Sequence, residues 1–358
     1  MTPALQHLVD QVCNARGPLV IRGGNSKAFY GESVVGEPLD THTLRGITSY
    51  EPSELVVTVQ AGTPLAELEA VLAEQGQCLP FEPPRFTGRG SVGGMVAAGL
   101  AGPARASVGG VRDYMLGATM INGRGETLMF GGQVMKNVAG YDVSRLLAGS
   151  MGILGVICDV SLKVLPISPA RATLAFHHDE ADALQRLNIW AGQPLPINAS
   201  AWRDGRLYVR LAGARSAVDA AMRRLGGDIV DGAAADALWL GLRDHGGTFH
   251  RRAMEAVECG LAWWRICVPS TAAPLGLHGD SLIEHGGAQR WLVTDLAAAE
   301  VRAAAVRARG HATLFRALDK TSGVFAPLPA TLERLHRALK LAFDPRGIFN
   351  PGRMYPGL

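Results

Sequence analysis

The sequence predicts an α+β fold, and three observations indicate it. Short apolar strand segments alternate with amphipathic helices along 358 residues, a length typical of two or three domains. Between Gly88 and Gly155 lie 17 of the 44 glycines, and they alternate with short apolar runs instead of forming a low-complexity tract. After Pro166 and Pro169 the sequence becomes more polar, which marks a domain boundary.

Local patterns place the elements of the first region. Thr63 offers a capping hydroxyl and Pro64 a first helical residue, and the helix that follows ends at Gly76. Ser91 caps a second helix with small residues on its inner face, and N-G-R-G at 122–125 joins two hairpin strands. The predicted strands are Pro18–Arg22, Leu55–Gln60, Ala118–Ile121, Glu126–Phe130 and Ile153–Leu165, and Gln133–Leu147 is a further helix.

The region from 170 to 325 predicts a mixed α+β domain. Its predicted strands are Ala172–Phe176, Leu207–Leu211, Ala262–Val268, Arg290–Val293 and Ala312–Phe315, and its helices are 179–190, 215–225 and 296–309. A last helix, 329–343, is amphipathic because its apolar residues recur at helical spacing, and Asp344-Pro345 ends it. The residues of that apolar face are Leu332, Leu335, Leu339 and Phe343.

Composition and charge exclude several classes of protein. A net charge of +3 and scattered basic residues give no electrostatic footprint for nucleic acid or for an anionic membrane. The five cysteines form no C-x-x-C pair, so an iron–sulfur cluster motif is absent and reduced thiols in a cytoplasmic protein are expected. No signal peptide is evident, and no apolar run reaches the roughly 20 residues that span a bilayer. Association with a membrane is therefore expected only through a partner protein.

The glycine-rich segments indicate a ligand that lies against the main chain. Glycine lets backbone N–H groups approach a ligand closely, and turns and helix starts favour anions, so a phosphate-bearing cofactor is the first candidate. The alternative is that these glycines serve only tight turns. The G-S-M-G-I-L-G run at 149–155 could also be a Rossmann fingerprint, but that motif follows a strand and precedes a helix, and here the order is reversed.

Three segments together resemble the FAD-binding domain of the vanillyl-alcohol oxidase type, the PCMH-type domain. They are V-I-R-G-G-N-S-K at 20–27, T-G-R-G-S-V-G-G-M-V-A-A-G at 87–99, and R-D-Y-M-L-G-A at 112–118 with K-N-V-A-G-Y-D-V-S-R-L-L-A-G-S-M-G-I-L-G-V-I at 136–157. With G-G-A-Q-R-W-L at 286–292, V-F-A-P-L-P at 324–329 and N-P-G-R at 350–353, the whole chain resembles the FAD-binding E subunits of bacterial glycolate oxidases.

This resemblance implies a domain organisation. An FAD-binding domain of two α/β subdomains would occupy 1–166. A cap-like α+β domain would occupy 167–328 and bind a substrate or a partner subunit, and the segment 329–358 would pack back on the FAD domain.

The resemblance also implies FAD as the cofactor and assigns residues to it. The Arg22–Lys27 loop would wrap the pyrophosphate, Ser91–Gly94 would approach the isoalloxazine and the diphosphate, and Gly149–Ile157 would line the adenosine half. The expected cofactor-binding residues are Arg22, Gly23, Gly24, Asn25, Ser26, Lys27, Thr87, Gly90, Ser91, Val92, Gly93, Gly94, Ala97, Gly149, Gly152, Gly155, Val156, Ile157 and Asn350. Alternatively, Lys27 is a solvated loop charge and Asn350 a turn residue before Pro351.

Attachment of the flavin is expected to be noncovalent. Some relatives tether it through a histidine in the first loop, which here reads Gly24-Asn25-Ser26. No histidine occurs between His42 and His177. Contacts alone, at about 0.3 kcal/mol per atom, are sufficient to hold a cofactor of this size.

The sequence does not identify catalytic residues. Related 2-hydroxy-acid dehydrogenases carry H-x-G-D-G-N-x-H, whose histidines bind a divalent metal, and a later E-H-G. The nearest match is H-G-D-S-L-I-E-H at 278–285, which lacks the central G-D-G-N and runs into Gly286-Gly287. It is either a residual metal or acid–base site or a surface turn and strand end, so no metal ligand is assigned. His177-His178 and the pair His245 and His250 are read as solvated or packed side chains.

The resemblance implies a subunit of a glycolate, or 2-hydroxy acid, dehydrogenase complex that oxidises glycolate to glyoxylate. Its partners would be a homologous FAD-containing catalytic subunit and an iron–sulfur subunit that receives the electrons, with the complex cytoplasmic or peripheral to the inner membrane. Two alternatives stay open. The chain could be a non-catalytic accessory or electron-relay subunit, or a reductase of the UDP-N-acetylenolpyruvoylglucosamine type, which shares the flavin domain.

Overall fold

A computed structural model describes residues 2–86, 88–132 and 142–358. The helices are α1 (Pro3–Asn14), α2 (Leu65–Glu74), α3 (Val92–Ala98), α4 (Arg105–Val108), α5 (Val111–Tyr114), α6 (Glu180–Ala191), α7 (Arg215–Leu225), α8 (Gly232–Arg243), α9 (Thr248–Glu258), α10 (Ala298–Arg307) and α11 (Ala330–Phe343). The strands are β1 (Leu19–Arg22), β2 (Glu37–Asp40), β3 (Ile47–Glu51), β4 (Val56–Gln60), β5 (Gln77–Cys78), β6 (Met115–Ile121), β7 (Thr127–Gly131), β8 (Val156–Lys163), β9 (Leu165–Pro166), β10 (Ala170–His177), β11 (Ile197–Arg203), β12 (Arg206–Gly213), β13 (Asp228–Ile229), β14 (Ala262–Cys267), β15 (Asp280–Glu284), β16 (Gln289–Thr294) and β17 (His311–Arg316).

Contacts between residues divide the chain into two compact units. The first unit consists of Met1–Leu100, Gly110–Pro166 and Pro327–Leu358, and the second consists of Ala101–Gly109 and Ile167–Ala326. The sequence prediction had placed Ala101–Gly109 in the first domain, whereas its contacts assign this segment to the second unit.

The first unit is built on a five-stranded antiparallel sheet in the order β3-β4-β8-β6-β7. A separate parallel pair joins β1 to β2, and their residues share a core with Leu8 and Val12 of α1. The C-terminal segment extends this pair, because Leu19 N–H donates to the Ile348 carbonyl at 2.7 Å and Asn350 N–H donates to the Leu19 carbonyl at 3.0 Å. The start of β1 is therefore held by backbone hydrogen bonds on both sides, from β2 and from the C-terminal segment.

The last helix, α11, does not bury the apolar face that its sequence predicts. Leu332 and Leu335 are exposed, and the two later positions of that face are half-buried. The buried side chain of the helix is Lys340, whose Nζ donates to the Asp344 carboxylate at 2.7 Å and to the Ile153 carbonyl at 2.7 Å. These polar contacts set the orientation of the helix, which apolar spacing alone does not show.

The second unit is an eight-stranded antiparallel sheet in the order β13-β10-β12-β11-β15-β16-β14-β17. Apolar residues of α6 and α7 pack on β10 and β12, and those of α10 pack on β14 and β17. Trp239 of α8 donates through Nε1 to the Thr173 hydroxyl of β10 at 2.9 Å, which anchors α8 to the sheet.

The α+β prediction is confirmed in both units, and most predicted elements are present within a few residues of their predicted ends. The helix predicted over Gln133–Leu147 lies partly at 133–141, outside the described residues, and its described end is a 3-10 turn at Ser144–Leu147. The long strand predicted over Ile153–Leu165 is shorter and is followed by the separate β9. The prediction missed α1, α4, α5, α8 and α9, and also β2, β3, β5, β11, β13 and β15. Among the described residues, no helix is both long and apolar enough to cross a membrane.

Candidate functional site

A cleft of about 300 Å³ in the first unit is lined by the end of β1, the loop that follows it, α3 and the C-terminal segment. Its lining residues are Val20, Ile21, Arg22, Gly23, Gly24, Asn25, Ser26, Lys27, Ala28, Ser33, Val34, Ser91, Gly94, Ala97, Ala98, Met151, Asn350 and Arg353. Ligand pockets in proteins generally have volumes of about 300–1,000 Å³, so this cleft is of a suitable size for a ligand.

The loop after β1 carries five successive backbone N–H groups that have no acceptor within the described residues. They belong to Gly23, Gly24, Asn25, Ser26 and Lys27. These residues are half-buried or exposed at the surface of the cleft, so their amides are available as donors to a ligand with several acceptor atoms. Asn25 has φ 55°, a left-handed conformation of the kind that lets successive amides converge on an anion. The loop therefore fits the pyrophosphate that the sequence motif predicts.

Two glycines of this loop are required by its close approach to the neighbouring segments. A Cβ built on Gly24 would overlap the backbone carbonyl of Arg89, and one built on Gly23 would overlap the hydroxyl of Ser91. Neither glycine has a positive φ, so proximity and not backbone conformation excludes larger residues here. The two contacts fix the distance between the loop and the start of α3.

Lys27 places a cation in the cleft without a countercharge. Its Nζ lies 3.2 Å from the Ser26 hydroxyl and 5.6 Å from the centre of the Phe86 ring. Within the described residues no carboxylate lies within 4.0 Å of this ammonium group. Burial lowers the pKa of Lys27 to about 8, because the charged form loses water around it. An anionic ligand in the cleft would supply the missing countercharge.

Asn350 and Arg353 of the C-terminal segment form hydrogen bonds that connect the segments lining the cleft. Asn350 donates through Nδ2 to the Met151 carbonyl at 2.8 Å and accepts from the Ile21 N–H through Oδ1 at 2.9 Å. Arg353 donates through Nη1 to the Glu32 carbonyl at 2.8 Å. Asn350 is 6% exposed, so it connects β1 to the segment around residue 151 from inside the protein. Its geometry supports a positioning role in addition to its place in the lining.

The first turn of α3 uses most of its amides inside the protein. Gly94 N–H donates to the Ser91 hydroxyl at 3.3 Å, while the N–H groups of Val92 and Gly93 donate to backbone carbonyls of a neighbouring segment at 3.0 and 2.7 Å. A Cβ on Gly93 would lie 2.7 Å from that of Ala61. Of the predicted cofactor contacts in this turn, Ser91 and Gly94 line the cleft and Val92 and Gly93 do not.

The predicted adenosine-binding segment packs against α3 and the sheet. Gly149 N–H donates to a carbonyl of α3 at 2.9 Å, and a Cβ on Gly152 would lie 2.6 Å from Asn350 Nδ2. A Cβ built on Gly155 would likewise lie only 2.5 Å from the carbonyl oxygen of Ile121. The predicted residues of this segment lie outside the cleft lining: Gly149, Gly152, Gly155, Val156 and Ile157. Their contact with a cofactor stays a prediction, and their observed role is packing.

The remaining two predicted cofactor-binding residues are Gly90 and Thr87. Gly90 is buried outside the lining, where a built Cβ would lie 3.6 Å from Lys27 Nζ, and Thr87 lies outside the described residues. The sequence analysis did not select eight residues that line the cleft: Val20, Ile21, Ala28, Ser33, Val34, Ala98, Met151 and Arg353. Arg353 belongs to the N-P-G-R motif and could have been selected from it, whereas Ser33 and Val34 carry no motif.

The H-G-D-S-L-I-E-H segment does not bring its histidines together. The His278 side chain is exposed, with Nε2 3.4 Å from Asp295, whereas His285 is buried, with Nε2 3.1 Å from the Gly102 carbonyl. Burial lowers the pKa of His285 to about 4, with the Arg105 charge as a further cause. No three metal-ligating side chains cluster anywhere in the residues that the structure describes. The two histidines lie beyond opposite ends of β15 (Asp280–Glu284), which keeps the imidazoles apart, and no catalytic residue is identified there.

Comparison with known proteins gives the family of this chain. Residues 2–131 match the family model of the FAD binding domain. The chain is 46% identical over 355 residues to glycolate oxidase subunit GlcE of Escherichia coli (strain K12), which covers 99% of this chain and 97% of that protein. It is 28% identical over 184 residues to glycolate oxidase subunit GlcD of Bacillus subtilis (strain 168), which covers 51% of this chain and 39% of that protein.

A solved structure of alkyldihydroxyacetonephosphate synthase has a TM-score of 0.67 at 15% identity, and the alignment covers 97% of this chain and 74% of that chain. At this identity the likeness concerns the fold. The predicted PCMH-type FAD-binding fold and the FAD cofactor are thus supported by the family match, by the overall similarity and by a cleft whose unpaired amides suit a pyrophosphate. The chain belongs to the family of the FAD-binding glycolate oxidase subunit GlcE.

Proposed function

We propose that this chain is the FAD-carrying E subunit of a glycolate oxidase complex, and that the complex oxidises glycolate to glyoxylate. The observation that carries the proposal is the row of five unpaired amides beside Lys27, in a chain that is similar to GlcE over nearly its whole length. Oxidation of glycolate removes a hydride from the carbinol carbon and a proton from the hydroxyl, and FAD supplies the hydride acceptor.

In this proposal the chain's own residues bind and orient the cofactor. The loop Gly23–Lys27 donates to the pyrophosphate, Lys27 neutralises part of its charge, and Asn350 holds β1 in register with the segment that contains Met151. We propose residues 1–166 as the FAD domain, apart from the segment Ala101–Gly109 that belongs to the second unit. Residues 167–328 would form a cap that contacts substrate or partner, and residues 329–358 a segment that completes the FAD domain.

We also propose that electrons leave through an iron–sulfur partner subunit and that a GlcD-type flavoprotein is a second partner. The similarity to GlcE and GlcD, which are both named as subunits of glycolate oxidase, supports an assembly of several chains. We propose a cytoplasmic location, with the membrane reached only through the complex.

One observation favours a second candidate function, that of an accessory or electron-relay subunit. The histidines at 278 and 285 lie apart, so the described residues offer no counterpart of the metal-binding histidine motif of related dehydrogenases. In this alternative the chain carries FAD, and substrate oxidation takes place on the partner flavoprotein.

Anaerobic addition of glycolate to the purified chain separates the two functions. Bleaching of the oxidised-flavin absorbance would show that the chain itself receives the hydride and would contradict the accessory role. The purified protein could instead be yellow and keep its spectrum when glycolate is added, but bleach once a co-purified partner is also present. That result would assign substrate oxidation to the partner. A protein isolated without flavin, and unable to bind added FAD, would refute the proposal that this chain carries the cofactor.

Lys27→Met is expected to weaken FAD binding and to change its pH dependence. In the free protein the Lys27 ammonium loses its proton as the pH rises through about 8. A bound pyrophosphate would raise this pKa, so FAD binding takes up a proton above that pH and none below it. The dissociation constant of wild type should therefore be level below about pH 8 and increase by up to about tenfold per pH unit above it.

The measurement is a fluorescence titration of flavin-stripped protein with FAD between neutral and alkaline pH. At neutral pH the loss of one charge-assisted hydrogen bond should weaken binding about 10- to 150-fold, for a free-energy cost of about 1.5–3 kcal/mol. Lys163→Met is the matched control, because Lys163 lies in β8 outside the cleft lining. An unchanged alkaline slope in Lys27→Met would show that another group causes it.

A further inference from the structure

Arg353 of the C-terminal segment is hydrogen-bonded to the later part of the loop that carries the five unpaired amides. Its Nη1 donates to the Glu32 carbonyl at 2.8 Å. Its Nη2 donates to the Ala28 carbonyl at 2.9 Å and to the Lys27 carbonyl at 3.3 Å. In the opposite direction, the Glu32 N–H donates to the Arg353 carbonyl at 2.9 Å. One residue therefore joins this loop to a segment that lies 321 to 326 positions away in the chain.

The two segments approach each other closely at Gly31. This glycine has φ 88°, in the left-handed region that favours glycine. A Cβ built on it would lie 3.0 Å from Arg353 Nε and 2.9 Å from the terminal methyl group of Met151. Arg353 and Met151 both line the cleft, and Arg353 is half-buried. The position of the loop and the position of the guanidinium group are therefore set together.

Lys27 is the point at which this contact reaches the amides of the cleft. Its N–H is the last of the five unpaired amides, and its carbonyl accepts from Arg353. Peptide units are planar, so only φ and ψ of Lys27 lie between the held peptide unit and that last amide. A guanidinium group presents its N–H donors in a rigid planar fork, which suits it to hold several carbonyls in one arrangement.

We propose that Arg353 is a positioning residue that couples FAD binding to the order of the C-terminal segment. It would hold the loop with its amides directed at the pyrophosphate, and bound FAD, by fixing the loop, would hold the C-terminal segment in place. Coupling of this kind acts equally in both directions. The inference rests on the proposed function, because FAD is the ligand, and it adds a regulation of FAD binding by a segment distant in the chain.

Hydrogen exchange of the flavin-stripped full chain, with and without added FAD, tests the coupling in wild type. Peptides that span residues 350–358 should exchange about 5- to 150-fold more slowly with FAD, the usual range of coupling between two sites. Peptides of α7, in the second unit, should show no such change and serve as the internal control. If Arg353 only anchors the C-terminal segment, peptides 350–358 should exchange at the same rate with and without FAD.

Variants at Arg353 separate positioning from charge. Arg353→Met should weaken FAD binding about 10- to 150-fold and abolish the effect of saturating FAD on exchange of 350–358. Arg353→Lys keeps the positive charge, but its single ammonium group lacks the planar fork, so it should restore little of the affinity. Arg334→Met is the matched control, because Arg334 is an exposed arginine of α11 outside the cleft lining, and it should bind FAD as wild type does.

Two results would overturn this inference and leave the proposed cofactor in place. One is wild-type FAD affinity in Arg353→Lys, which would show that charge alone matters. The other is equal exchange of 350–358 with and without FAD in wild type, which decides the question even if the Arg353 variants do not fold. A wild-type chain that binds no FAD would instead refute the inference together with the proposed function.

Discussion

Gly24→Ala is expected to yield a protein that retains little FAD. The new Cβ would overlap the backbone carbonyl of Arg89, and a backbone atom cannot move aside as the end of a flexible side chain can. The loop that carries the five unpaired amides must therefore shift away from the segment it faces. Overpacking of this kind costs about 1–3 kcal/mol. If this cost falls on the bound conformation, FAD affinity should fall about 5- to 150-fold.

The measurement is the ratio of flavin absorbance to protein absorbance after purification, followed by titration with added FAD. Gly17→Ala is the control, since a Cβ on Gly17 meets no atom within 4 Å and its φ is not in the positive range. Without FAD the loop of Gly24→Ala can shift into the open cleft and relieve the overlap, so both variants should unfold at similar denaturant concentrations. Retention of full flavin content by Gly24→Ala would contradict the placement of the cofactor against this loop.

The parts of the cleft that the sequence predicts are those with short-range causes. R-G-G-N-S-K continues directly from a strand, and its left-handed Asn25 and its run of amides arise within the segment itself. The close packing of Gly23 and Gly24 is, in contrast, against the distant Ser91 and Arg89. Ser91 was likewise recognised as a helix cap, and its hydroxyl does accept from the Gly94 N–H. Local chemistry of this type can be read without knowledge of the tertiary structure.

The residues that the sequence did not reveal are placed by contacts between distant segments. Met151 enters the cleft because its N–H bonds to the Ala97 carbonyl and its carbonyl accepts from Asn350, some 200 positions away in the chain. The strand β2 has the same explanation: E-P-L-D carries no strand signal, and it becomes a strand by pairing with β1. In the second unit, β15 is defined by its pairing with β11 and β16.

The helix α1 was also missed by the sequence prediction, although the signals for it are local. Thr2 caps the helix by accepting from the Leu5 N–H at 3.3 Å, and Pro3 occupies its first position. Leu8 and Val12 then share one face and are buried. A capping threonine followed directly by proline predicts a helix start, so this helix was within reach of sequence analysis.

Lys340→Met is expected to be the most destabilising of the changes considered. Lys340 Nζ bonds to the Asp344 carboxylate and to the carbonyls of Ile153 and Phe349, all within 2.8 Å. Asp344 is 1% exposed, so methionine would leave a buried carboxylate without its cation. Removal of one partner of a buried ion pair costs about 3–5 kcal/mol in the free energy of unfolding.

The same helix provides the control for this experiment. Glu333 and Arg337 form an ion pair at the same spacing of four residues, with both side chains about half exposed. Arg337→Met should reduce the free energy of unfolding by at most about 0.5 kcal/mol, since water screens an exposed pair of this kind. Urea unfolding of wild type and both variants measures the two values under identical conditions.

A third variant separates the charge from the packing. If the uncompensated carboxylate causes the loss, the double variant Lys340→Met with Asp344→Asn should be more stable than Lys340→Met alone. If the cost comes only from shape, adding the second change should lower the stability further. Equal stability of Lys340→Met and Arg337→Met would contradict the view that this buried pair, and not the apolar face of α11, holds the C-terminal segment against the rest of the first unit. Because Ile153 lies two positions after Met151, loss of the pair should also weaken FAD binding, whereas Arg337→Met should leave that binding unchanged.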